Sequence, residues 1–125
     1  MRNYTPTINL FRQHNINDWL AMTRSPRCGF PEKGVLTDAH DLFWLGGCTG
    51  LPSDPSELAK VIGCTKKNAL AMLDHTTGYE IIDGLIYWQT LERAHVRAKS
   101  LQEKARSAGL ASAKVRAEKN ANEQP

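Results

Sequence analysis

DPSELAKVIGCTKKNALAML, residues 54–73, carries both ends of one helix and the start of a second. Asp54 is placed to cap the first helix, Pro55 takes its first position, and Glu57 stands where a capping-box carboxylate reaches back. Leu58, Val61 and Ile62 repeat at the spacing of one buried helical face. Gly63 closes the helix in a left-handed conformation, and Thr65 caps the next one, whose buried stripe is expected to be Ala69, Met72 and Leu73. Ala59 and Gly63 are small enough to let the two helices cross closely. The stretch reads as a helix-turn-helix, a pattern that all-helical domains also use without touching DNA.

Outward from this stretch, Tyr79–Gln89 reads YEIIDGLIYWQ, with Asp83-Gly84 between two β-branched and aromatic runs. That is a two-residue hairpin signal, which pairs Ile82 with Leu85, Ile81 with Ile86 and Glu80 with Tyr87. Alternation then puts Tyr79, Ile81, Ile86 and Trp88 on one face, assigned to the core. Upstream, Thr37 is read as the N-cap of a helix with Ala39, Leu42 and Phe43 inward, Asp38 near its positive end and Gly46-Gly47 at its close. Trp44 lies off that stripe, to cover a neighbour or meet a partner. Gly46–Gly50 lacks the Gly-Lys-Ser/Thr ending of a phosphate loop and is read as a linker.

Three helices followed by a hairpin is the order of a winged helix. The expected fold is therefore mainly α with a small β-hairpin, a winged helix-turn-helix plus a long C-terminal helix. Residues 1–33 form an N-terminal arm and loop, 34–90 the winged-helix core, 91–118 a basic helix and 119–125 a disordered tail. In the arm, residues 1–9 are a loose start or an edge strand, and Ile16, Trp19 and Leu20 fall at helical spacing within Leu10–Thr23. RSPRCGFPEKG, residues 24–34, has two prolines and two glycines and is expected to be a loop. Its Arg24, Arg27 and Lys33 make a solvated rim or part of an anion-facing surface. In the last helix Leu91, Ala94, Ala98, Leu101, Ala105 and Ala108 form a narrow 3-4 seam.

Charge is uneven along the 125 residues. The net +3 divides into +3 over 1–33, −4 over 34–89 and +4 over 90–125. Phosphate neutralisation drives duplex binding, so the two ends suit a polyanion better than the middle does. Cys28, Cys48 and Cys64 are scattered without C-x-x-C spacing, which fits reduced thiols rather than a disulfide framework or a zinc site. No apolar run spans a membrane and no secretory leader is expected. Cys64 and His75 have no spacing that makes a nucleophile pair, and Asp38 with Asp41 is a solvated helix start before it is a cation site. The chain is read as a non-enzyme without cofactor or metal.

The arm INDWLAMT, the helix LTDAHDLFWL, the segment LPSDPSELAKVIG, the hairpin GYEIIDGLIYWQ and the tail SLQEKARSAGLASAKVRAE together resemble the YdaU-like domain of phage and prophage proteins. The resemblance covers roughly residues 8–118. It implies a winged-helix-like module in the cytoplasm of a bacterial host, with a role in phage DNA replication.

Two functions are expected from these readings. In the first the chain binds DNA, with Lys66, Lys67 and Asn68 entering the major groove and Ala71 and His75 further along the same side. Arg93, Arg97, Lys99, Lys104 and Arg106 would add sequence-independent affinity, although the Asp83-Gly84 tip is acidic where a groove-entering wing presents Arg or Lys. In the second the chain binds a host replication or defence protein through its acidic middle or its last helix. A homodimer through that helix is a further expectation.

Overall fold

The computed structural model describes residues 12–123 and forms two compact units, residues 12–95 and the stretch from Val96 onward. The expected loose start over residues 1–9 and the chain's last two residues lie outside the described part. Helix α1 (Ile16–Met22) opens on Asn15, whose side chain accepts the Asp18 N–H at 3.1 Å. Its inward residue is Met22, with Trp19 half-buried, while Ile16 and Leu20 are 65% and 60% exposed. Of the three apolar residues expected at helical spacing, Trp19 faces inward against His40, whereas Ile16 and Leu20 are turned outward.

Helix α2 (Phe30–Leu45) starts seven residues before Thr37, which overturns that N-cap and the last five residues of the loop expected over 24–34, while residues 24–29 do form a loop. Pro31 lies in the first turn, where its missing N–H costs nothing, and the Glu32 carboxylate accepts the Gly29 N–H at 2.8 Å. Thr37 instead sits inside the helix and bonds the Lys33 carbonyl at 2.9 Å. Asp38 consequently lies two turns from the positive end of the helix. Gly34 is tolerated on the outer face, where an added Cβ would meet nothing within 4 Å among the described residues. The inward face is Val35, Leu36, Ala39, His40, Phe43 and Trp44. Trp44 is buried with its ring 4.7 Å from that of His95, so it covers a neighbour.

Gly46 closes α2, and the linker reaches a short strand, β1 (Leu51–Pro52), that the sequence reading lacked. Gly50 has φ +102, and a Cβ there would come within 2.9 Å of Leu85 Cβ, so only glycine lets β1 approach the hairpin. Strands β2 (Glu80–Ile82) and β3 (Leu85–Tyr87) pair in the expected register, and the sheet order is β1-β3-β2, all antiparallel. Asp83 and Gly84 both have positive φ, 51° and 76°, as a tight two-residue hairpin requires. Ile86 and Trp88 are fully buried, but Ile81 is 52% exposed and Tyr79 half-buried. The expected four-residue core face holds for central β3 and fails on β2, which forms the sheet's edge.

Helices α3 (Pro55–Ile62) and α4 (Lys66–His75) begin and end as the sequence dictates. The Asp54 side chain accepts the Glu57 N–H, Gly63 is left-handed at φ 85 and ψ 37, and the Thr65 hydroxyl accepts the Asn68 N–H. Leu58, Ala59, Ala69, Met72 and Leu73 are buried, whereas Val61 lies on the outside of α3, contrary to the expected stripe. Phe43 stacks edge-on against Trp88 at 5.3 Å and joins α2 to the end of the hairpin.

Helix α5 (Gln89–Glu123) runs through Gly109 and past residue 118. The disordered tail expected from 119 is overturned as far as 123, because Ala117, Glu118, Lys119 and Ala121 favour the helix. The chain is thus mainly helical, with a small three-stranded antiparallel sheet and a long C-terminal helix. Among the described residues no helix is long and apolar enough to cross a membrane.

Candidate nucleic-acid interface

The α3–α4 turn is three residues long, and Gly63 and Cys64 both donate backbone N–H groups to the Ala59 carbonyl. This locks the start of α4 in one direction. Lys66 and Lys67 occupy its first turn and are exposed, one beside the other. The N-terminal turn of a helix carries free N–H groups and a partial positive charge, to which the two ammonium groups add. Asn68 is half-buried, with its backbone tied to Thr65.

The expected contact set is only partly on one surface. Ala71 and His75 are half-buried, and His75 Nδ1 lies 3.4 Å from Glu32 Oε1 of α2. The Glu32 carboxyl is held below the usual carboxylate range, first by its own backbone N–H, then by Gly29 and His75, against the opposing cost of burial. The residues that do face outward along α4 are Lys66, Lys67, Leu70 and Asp74. Leu70, one residue after buried Ala69, faces outward and stands outside the expected contact set.

The basic residues of α5 divide between the two units. Arg93 is exposed on the first, and Arg97, Lys99, Lys104 and Arg106 are exposed on the second. In the 24–34 stretch Arg24 and Arg27 are exposed, while the Lys33 ammonium stands 5.8 Å over the Phe30 ring. Near the sheet the exposed charges are acidic, Glu80 on β2 and Asp83 at the hairpin tip. On α3, Lys60 is paired with Glu57 at 3.3 Å, an exposed pair that leaves little net field.

A second cluster lies inside the first unit. His40 is buried between Trp19, 6.0 Å away, and Trp88, 5.0 Å away, each ring edge-on to it. His40 Nε2 and Trp88 Nε1 have no hydrogen-bond partner among the described residues. Burial pushes His40 down to about 3, with the charges of Arg12 and His14 acting in the same direction and Asp41 against them. Arg12 donates from Nε and Nη2 to one Asp41 oxygen, Oδ1, at 2.9 and 2.7 Å. The spacing Leu36, His40, Phe43 was the available signal that this histidine faces inward.

Thiol chemistry has poor footing here. Burial raises all three cysteines, Cys48 to about 11, so the nucleophilic thiolate is disfavoured at neutral pH. Among the described residues no group of three or more His, Cys, Asp or Glu side chains is arranged to hold a metal ion. No family model matches the chain, and neither a curated protein nor a solved structure does.

Proposed function

We propose that this chain is a DNA-binding winged-helix module of phage type, acting in DNA replication or its regulation. The observation that carries the reading is the pair Lys66 and Lys67, both exposed in the first turn of the second helix of a tightly locked helix pair. A helix presented in this way enters the major groove by its N-terminal residues. The element order α2, β1, α3, α4, β2, β3 with sheet order β1-β3-β2 supports the winged-helix assignment, since it supplies a third strand beside the hairpin. The resemblance to YdaU-like phage domains supports the replication setting. In this reading Lys66 and Lys67 meet phosphate or guanine, and Asn68 stands at the groove edge. Exposed Arg93, Arg97, Lys99, Lys104 and Arg106 add affinity without sequence information.

The test is fluorescence anisotropy on random duplex and single-stranded DNA across a salt series, with the full chain and Lys66→Ala/Lys67→Ala. Binding should weaken steeply with salt, and the double variant should lower the slope of log K against log salt by about 2, roughly 0.9 per lost phosphate contact. No binding to either DNA at low salt overturns the proposal.

A second reading is favoured by the exposed acidic groups Asp74, Glu80 and Asp83, which would repel a phosphate backbone. In it the chain is a phage-encoded module that docks on a basic face of a host replication or defence protein. Charge reversal at Asp83 separates the two, because it strengthens DNA binding and weakens a complex with such a protein.

A further inference from the structure

The stretch of α5 from Val96 onward displays exposed apolar groups. Leu101 and Val115 are 60% and 63% exposed, and they lie on the seam Ala98, Leu101, Ala105, Ala108, Ser112 and Val115. The spacing alternates 3 and 4, so the seam follows one face of the helix for over two heptads. Gly109 stands beside it in the helix interior, where glycine is unfavourable, and an added Cβ would meet nothing within 4 Å among the described residues. Nothing in the packing of the described residues calls for a glycine there.

We infer that this face pairs with the same face of a second copy of the chain, the two helices running antiparallel. Charge complementarity selects both the occupant and the direction. With Ala98, Ala105 and Ser112 at the first core position of the heptad, Arg97, Lys104, Ala111 and Glu118 flank the seam on one side, and Gln102, Gly109 and Arg116 flank it on the other. In an antiparallel pair each flanking side meets its own kind. Matching Ala98 to the second copy's Val115, Leu101 to its Ser112 and Ala105 to its Ala108 then brings Arg97 to its Glu118, and by symmetry this happens twice. A parallel pair would set Arg97 against Gln102 and Lys104 against Gly109, with no ion pair at all. Flanking charges of this kind set partner and orientation in helix pairs. The small residues Ala105, Ala108 and Gly109 fall at the midpoint, where the two backbones approach closest. The pairing stands independently of any DNA contact.

Sedimentation equilibrium of the full chain at about 0.15 M salt tests this, with Arg97→Glu, Glu118→Arg and the double exchange. A reversible dimer is expected. Each single reversal should raise its dissociation constant roughly tenfold, since it turns two attractions into two repulsions, and the double exchange should restore it. All four positions of the pairs are exposed, and circular dichroism should show equal helix content throughout. A chain that stays monomeric, single reversals that leave the constant unchanged, or a double exchange as weak as the singles would each overturn the antiparallel pairing.

Discussion

At the scale of single residues, His40 couples packing to pH. Its ring fills the space between two tryptophans, and its Nε2 finds no hydrogen-bond partner among the described residues, so protonation in place would bury an uncompensated charge. The folded value of about 3 lies far below the 6.5 of a free histidine. The unfolded chain therefore binds one more proton than the folded chain between those limits. Stability from this group is fully present above 6.5 and is lost as pH falls toward 3, by up to about 1.4 kcal/mol per unit. Urea denaturation from pH 7.5 down to 4 should show a steeper loss for the natural chain than for His40→Phe, which keeps an aromatic ring and removes the proton site. Equal pH slopes for the two chains would mean that His40 is solvated or paired in solution. The inward stripe expected from the sequence, Ala39, Leu42 and Phe43, leaves His40 aside, and its unpartnered nitrogen depends on Trp19 and Trp88, far away in sequence.

At the scale of elements, legibility followed the range of the interactions. The ends of α3 and α4 were readable because each cap is closed within a few residues: Asp54 with Glu57, Gly63 with Ala59, Thr65 with Asn68. The start of α2 differs from the expectation because Pro31 and Gly34 look like breakers in the sequence, whereas in the structure Pro31 fits the first turn and Glu32 caps Gly29. Strand β1 has only two residues and exists by pairing with β3, which no local pattern announces. Spacing places Val61 and Ile81 inward, yet both lie on the exposed side of their elements, as do Ile16 and Leu20 beside the inward Trp19. The locally closed turn makes its own prediction. Thr65→Ala should cost about 1 kcal/mol by loss of the cap. Gly63→Ala should cost a similar amount, about 1 kcal/mol, for conformational reasons alone, since a Cβ there meets nothing within 4 Å among the described residues. Chemical denaturation with unchanged m-values would confirm both, whereas a neutral Gly63→Ala would show that the turn relaxes out of its left-handed form.

At the scale of the whole molecule, core and charge separate along the chain. Every buried apolar side chain among the described residues lies between Met22 and Leu91. The surplus positive charge lies elsewhere: residues 99–125 hold six basic and three acidic groups, so the remainder of the chain is neutral overall. The sequence made this division visible at once, because charge needs no fold to be counted, whereas the share of it that a ligand meets depends on which face each residue occupies. A chain ending at Ala98 should therefore keep its cooperative melting, with Tm within a few degrees of the full chain at equal concentration, because no core side chain is removed. It should lose its self-association together with the Leu101–Val115 seam. If DNA is the ligand, low-salt affinity should fall, and the binding that remains should depend on Lys66 and Lys67. Differential scanning calorimetry and anisotropy on the same preparation give both readouts. A large drop in Tm would mean that the distal part of α5 supports the body. Unchanged DNA affinity would assign recognition to α4 alone, and complete loss of binding would reduce the lysine pair on α4 to a solvated helix start.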